Sequence, residues 1–224
     1  MQKITASFPD DAALRIAVIG IGGIGCAVLP RMVRWPLVRL TLIDGDRVEE
    51  HNLERQELYA EMDIGAWKSG VSAAWMRQVV PATSVEQHPV FLGANNAHDL
   101  LAEHDAVIEC TDDLHAKQAI DEACASLAIP LVSGGVHGKQ GQVIALHGPG
   151  VGHAITRKSL FAGRAGGEQD GCDMRNVPPG TLDMVAKRMV SLTRSLLLGE
   201  AVVNGRIELL SGDRWTNIDP PRNT

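Results

Sequence analysis

A doubly wound, mainly parallel α/β sheet with helices on both faces, extended by late antiparallel strands, is the fold class that the sequence predicts. Three observations lead there. Residues 15–19 form a short apolar run that meets the glycine-rich turn GIGGIG and then a helical stretch. Strand-like and helix-like segments alternate from there to about residue 147. Several strand segments are apolar at most positions, as a parallel strand buried on both faces requires.

The elements follow in order. After the strand at 15–19, residues 26–35 read as a helix closed by Pro36. Residues 38–43 form the next strand, which ends at Asp44. A helix is expected over 65–80, stopped by Pro81, then a strand over 85–91 and a short helix over 96–103. Residues 105–110 give a strand, 114–127 a helix and 129–133 another strand. A turn is expected at Gly134 and Gly135, leading into a strand over 140–147. Residues 148–180 change to Gly, Pro, Arg and polar residues with little periodicity, and are expected to be a surface loop. Helical spacing returns over 181–198, with Gly199 as the stop, and residues 206–219 look like two short strands.

Composition narrows the function classes. The 224 residues carry 21 Lys plus Arg against 27 Asp plus Glu, a formal charge of -6, so no broad basic surface is expected to neutralise a nucleic-acid backbone. Cys26, Cys110, Cys124 and Cys172 are far apart, without a CxxC pair, and read as reduced thiols. No apolar run approaches the ~20 residues that span a bilayer, and MQKITASFPDD lacks the pattern of a leader. The expectation is a cytoplasmic protein with neither nucleic acid nor membrane as partner.

Gly20, Gly22 and Gly25 match GxGxxG between a strand and a helix, the Rossmann-like setting in which glycines permit a tight turn, close phosphate approach and helix–strand packing. Asp44, at the end of the second strand, is placed to accept hydrogen bonds from ribose hydroxyls. These residues suit NAD and ATP equally. Arg55, Lys68 and Asp112 separate the two, because they offer two cations and a magnesium ligand for a triphosphate. Taken singly, each has a plainer reading: a solvated Arg or Lys, or an Asp that caps a helix.

The set GIGGIG at 20–25, LTLIDGDRVEEHNLERQ at 40–56, Lys68 within GAWKSG, and ECTDD at 109–113 resembles the ThiF/MoeB/HesA family, bacterial relatives of the ubiquitin-activating enzymes. LVSGGVHGKQGQV at 131–143 and the stretch 172–199 extend the resemblance over most of the chain. It implies one ATP-binding adenylation domain over 1–224, with a glycine-rich crossover-type loop at 148–180. It also implies activation of a carboxylate, typically the C-terminus of a ubiquitin-like or sulfur-carrier protein, with loss of pyrophosphate. By the same resemblance Gly20, Gly22, Gly23 and Gly25 would form the phosphate turn and Asp44 would bind ribose. Asn52, Arg55, Gln56 and Lys68 would surround the phosphates, and Asp112 would ligate Mg2+. Asp46 matches the second acid of the strand-end pattern without an assigned role. A homodimer is expected by analogy.

The chain departs from the family in three places. It has no arginine before Arg15, although relatives often use an N-terminal one to complete the partner subunit's site. It has no CxxC pairs, so no structural zinc is expected. Asp113 replaces the usual Asn; its extra charge would alter metal or nucleotide contact, or it would cap the next helix. Cys172 stands where some relatives place a cysteine that accepts the activated carboxyl. Cys26, Cys110 and Cys124 read as core residues, and His137, His147 and His153 lack metal-ligand spacing. An NAD-dependent oxidoreductase and a non-catalytic partner-binding scaffold are the competing function classes.

Overall fold

The computed structural model describes residues 7–149, 155–161 and 177–220. β1 (Leu14–Ile19), β2 (Leu37–Ile43), β3 (Ser84–His88), β4 (Ala106–Glu109) and β5 (Leu131–His137) run parallel. β6 (Gln140–Leu146), β7 (Ile207–Ser211) and β8 (Arg214–Ile218) continue the sheet antiparallel. The spatial order of the eight strands is β3-β2-β1-β4-β5-β6-β7-β8. The chain therefore winds outward from β1 in both directions, and β1 and β4 flank the point where the order reverses. Ligands of doubly wound sheets bind in the crevice that this reversal leaves at the carboxyl ends of the strands.

Strand alternation divides the interior into two cores. Ile16 and Val18 point to one face, where they meet Leu29 and Met32 of α1 (Gly23–Met32), Ala73 and Met76 of α2 (Lys68–Val79), and Val185 and Met189 of α6 (Pro179–Leu197). Ala17 and Ile19 point to the other face, into a cluster with Leu101 of α3 (Ala97–Leu101) and Ile120 and Cys124 of α4 (Leu114–Leu127). Helices thus cover both faces, as the alternation of segments predicts. Among the described residues no helix is long and apolar enough to cross a membrane.

Three elements differ from expectation. Gly134 and Gly135 lie inside β5, paired with Val143 and Gln142, and the chain reverses instead at Gly138, whose φ is +54°. The glycine at 134 answers packing, since a Cβ there would run into Met189 of α6. α2 begins at Lys68 rather than 65, because Trp67 is held extended in an antiparallel bridge with Arg47 and the residues before it turn. Gly65 stands at φ +88°, and the Arg47 guanidinium lies 3.8 Å over the Trp67 ring. Within the stretch expected to be loop, Arg157–Leu160 forms one helical turn, α5, whose Thr156 hydroxyl accepts from the Ser159 amide at 3.2 Å.

Candidate active site

The glycine turn is built by close approach. Gly20 has φ +81°, and a Cβ there would lie 2.9 Å from the Cys110 carbonyl carbon and the Thr111 nitrogen, so β1 and β4 converge only on a glycine. A Cβ at Gly25 would overlap the Gly20 carbonyl oxygen, which fixes the first turn of α1 against the end of β1. Gly23 faces Leu182 of α6 at 3.0 Å from the position of its absent Cβ, and serves helix packing. Gly22 opens toward Gln56.

Asp44 ends β2 beside this turn. Its Oδ2 accepts from the Ile21 amide at 2.5 Å and its Oδ1 from the Asp46 amide at 2.8 Å, so the carboxylate braces the turn as well as facing the cleft. Burial pushes its pKa up, opposed by those two amides and by the charge of Lys68. The 3₁₀ turn Glu50–Asn52 then carries the chain around the cleft. Asn52 is buried; its side-chain Oδ1 accepts from the Glu49 amide at 3.1 Å, and its carbonyl takes the Arg55 and Gln56 amides at 3.1 and 3.0 Å. Arg55 donates from Nη1 to the His51 carbonyl at 2.9 Å.

Lys68, at the start of α2, is nearly buried and donates to Asp46 Oδ2 at 3.1 Å, while its own amide donates to the Asp46 carbonyl at 3.0 Å. Asp46 thereby acquires its role: it holds the cleft's lysine. Asp113 caps α4, accepting from the His115 and Ala116 amides at 2.7 and 2.9 Å. Asp112 is left exposed to the cleft.

Gly20, Gly22, Gly23, Asp44, Asn52, Arg55, Gln56, Lys68 and Asp112 all line one cleft of about 1520 Å³ at the strand ends. Gly25 stands behind it, and Cys172 and the zone around it lie outside the described residues, as does His153. The cleft continues past α4 along Gly135, His137, Gln142 and Thr216, which gives room for an extended chain beside a nucleotide. Arg55 Nε, Gln56 Oε1 and Thr111 Oγ1 are buried polar atoms on its wall without hydrogen-bond partners. Unmet groups of this kind in a concave site await ligand atoms. Asp112 offers the hard carboxylate oxygen that Mg2+ takes when phosphates complete its shell, so the donor chemistry fits that ion.

Sequence reasoning missed Tyr59. Its hydroxyl donates to the Ile21 carbonyl at 2.7 Å, opposite the grip of Asp44 on the Ile21 amide, and lies 3.2 Å from Ser72 Oγ. No motif marks it. Burial pushes the Cys26 thiol up to about 12 and the Cys110 thiol well above its ordinary range, which keeps both neutral and agrees with their core placement.

The ThiF family model matches residues 11–223, nearly the whole chain. The chain belongs to the ThiF family. Sulfur carrier protein adenylyltransferase of Thermus thermophilus is 34% identical over 134 residues, which cover 60% of this chain and 49% of that protein. Molybdopterin-synthase adenylyltransferase of Escherichia coli is 30% identical over 129 residues, 58% of this chain and 52% of that protein. The match of this ThiF-family chain spans about half the length of some curated relatives, such as those two, and under a third of others, such as the 29% of adenylyltransferase and sulfurtransferase UBA4 of Kluyveromyces lactis. A crystal structure of E. coli MccB with ATP superposes with TM-score 0.77 at 18% identity, covering 94% of this chain and 65% of that one. PaaA superposes with TM-score 0.75 at 20% identity over 92% of this chain and 64% of its own. These likenesses establish the fold.

Proposed function

We propose that this chain is an ATP- and magnesium-dependent adenylyltransferase that activates the C-terminal carboxylate of a ubiquitin-like or sulfur-carrier protein. The observation that carries the reading is the convergence of Arg55, Gln56, Lys68 and Asp112 on the glycine turn within one cleft. An oxidoreductase would use the turn and Asp44 but has no task for two cations and an exposed acid. The names of the curated relatives, which include an enzyme that activates SAMP in Haloferax volcanii, support the same class.

The residues divide the work. Amides at the start of α1 receive phosphate oxygens, aided by the helix dipole. Asp44 keeps lone pairs free for ribose hydroxyls beyond the two it gives to amides. Arg55 turns from the His51 carbonyl to the phosphates, and Lys68, braced by Asp46, meets them as a point charge. Mg2+ held by Asp112 would neutralise charge on the phosphates and orient them. A carboxylate oxygen lying in the extended part of the cleft attacks the α-phosphorus, and the bond to the bridging oxygen breaks to release pyrophosphate.

Pyrophosphate exchange into ATP, measured with candidate carrier proteins, is expected for the chain and is expected to vanish in Asp112→Ala. Absence of exchange with any carboxylate, or thermal stabilisation by NAD but not by Mg-ATP, would overturn the reading. The proposal includes one adenylation domain over 1–224, a homodimer and a cytoplasmic setting. Sedimentation as a monomer throughout the micromolar range would remove the dimer. A second step at Cys172 would appear as a carrier conjugate that Cys172→Ser loses.

A further inference from the structure

Glu109 ends β4 three residues before Asp112. Its carboxylate is 1% exposed, so its lone pairs must be met by the protein. Oε1 accepts from the Thr111 amide at 2.6 Å and from Lys117 Nζ at 2.9 Å. Oε2 accepts from Lys117 Nζ at 2.8 Å and from the Ser133 hydroxyl at 2.5 Å. Lys117 donates also to the Gly134 carbonyl at 2.8 Å.

Ser133 has a single hydroxyl proton. It points to Glu109, an acceptor, and the hydroxyl oxygen in turn accepts from Nη2 of Arg157, a guanidinium that also lies 3.9 Å from Glu109 Oε2. Arg157 opens α5, and its amide is anchored independently on Asp121 Oδ2 at 2.8 Å, while Asp121 Oδ1 meets His147 Nε2 at 2.7 Å. The chain of contacts therefore runs from α5 through Ser133 and Glu109 to the Thr111 amide. Asp112 is the next residue.

We propose that Arg157 is a positioning residue for Asp112: it holds in place the Ser133 hydroxyl that donates to Glu109, which helps to fix the carboxylate that holds the Thr111 N–H and so aims the following acid into the cleft. This rests on the reading of Asp112 as the magnesium ligand. Arg157 has two effects on that ion, and they have opposite signs. As a cation it repels Mg2+, so its removal by charge alone would lower the Mg2+ needed. As a positioning group it holds the ligand in place, so its removal raises the requirement.

The test uses the full chain and a fluorescent methylanthraniloyl-ATP at graded Mg2+. Arg157→Ala is expected to raise the half-saturating Mg2+ on the order of tenfold, the lower end for loss of an outer-shell partner. In the metal-free protein the same variant speeds hydrogen exchange at the Thr111 amide, and Arg157→Lys, which keeps a donor for Ser133, restores most of both. A merely structural role would lower the melting temperature and the binding-competent fraction without moving the half-saturating Mg2+. An unchanged or lowered Mg2+ requirement, or unchanged Thr111 protection, overturns the inference. Asp112→Asn, run alongside, separates the two levels. If it leaves the Mg2+ dependence intact, the metal reading fails and the inference falls with it; if it abolishes the dependence while Arg157→Ala changes nothing, the inference alone fails.

Discussion

Removing one oxygen atom, in Tyr59→Phe, tests how the glycine turn is held. Tyr59 is the only tyrosine of the chain and is 6% exposed. Burial raises its pKa, so the phenol stays a donor at any working pH. The Ile21 peptide is gripped from both ends, its carbonyl by this hydroxyl at 2.7 Å and its amide by Asp44 at 2.5 Å. Phenylalanine fills nearly the same volume, so the cost is that of a buried carbonyl left without a donor, about 1–3 kcal/mol. For a chain of this size each kcal/mol shifts the melting temperature by about 2–4 °C. Urea unfolding should show a lower midpoint at unchanged slope, and Mg-ATP should bind more weakly because the turn's amides lose a restraint. Ser72→Ala is the control: its oxygen lies 3.2 Å from the same hydroxyl, which keeps its bond to Ile21, so it should cost less than half as much. A loss below ~0.5 kcal/mol in Tyr59→Phe, against the range for a buried orphaned carbonyl, would refute the reasoning. So would an equal loss in Ser72→Ala.

Other outcomes follow from the same contacts. Asp46→Asn leaves the buried Lys68 ammonium without its counter-charge; because Asp46 is half exposed, the cost is about 1–2 kcal/mol, between exposed and buried pairs, read by urea unfolding. Gly25→Ala drives a methyl into the Gly20 carbonyl and should cost about 1–3 kcal/mol, whereas Gly180→Ala, with nothing near its Cβ, should stay within about 0.5 kcal/mol; chemical denaturation of both checks the contrast. Burial lowers the His104 pKa, and its neutral ring donates from Nδ1 to the Leu101 carbonyl at 3.0 Å and accepts at Nε2 from the Thr41 hydroxyl at 2.8 Å. The unfolded chain then binds the proton first, so this stability is present above the ordinary value of 6.5 and is lost as pH falls through the lowered one. Urea midpoints across that acidic window should fall with pH, and His104→Gln should flatten the slope; an unchanged slope would count against the assignment.

Sequence alone shows the winding of the sheet because periodicity and glycine turns are local signals. It shows most of the cleft for a related reason: Gly20, Asp44 and Asp112 each stand just beyond a strand end, and parallel strands deliver their ends to one edge. What it conceals are contacts set by distance in space. The glycines at 134 and 135 carry a turn signal, yet both pair with β6 inside β5, and the lack of a Cβ at Gly134 makes room for Met189, more than fifty residues later. Tyr59 reaches Ile21 across 38 residues, and Ser133 reaches Glu109 across 24, with no spacing rule to announce either.

The acids of the cleft illustrate how geometry resolves what residue type leaves open. Asp112 and Asp113 are adjacent, and each by itself suits either a helix cap or a metal site. A helix has one N-cap, whose side chain must accept amides two and three positions ahead. Asp113 takes that place, with the His115 and Ala116 amides on its Oδ1, so its charge is committed to the start of α4. The pair Asp44 and Asp46 divides in the same manner, the first bracing the glycine turn and the second holding Lys68. All four line the cleft, and Asp46, Asp112 and Asp113 are exposed there, but among the described residues Asp112 alone of the four has no hydrogen-bond or ion-pair partner. An acid kept at a strand end without a structural partner is the group to which a cation brought in with phosphates would bind.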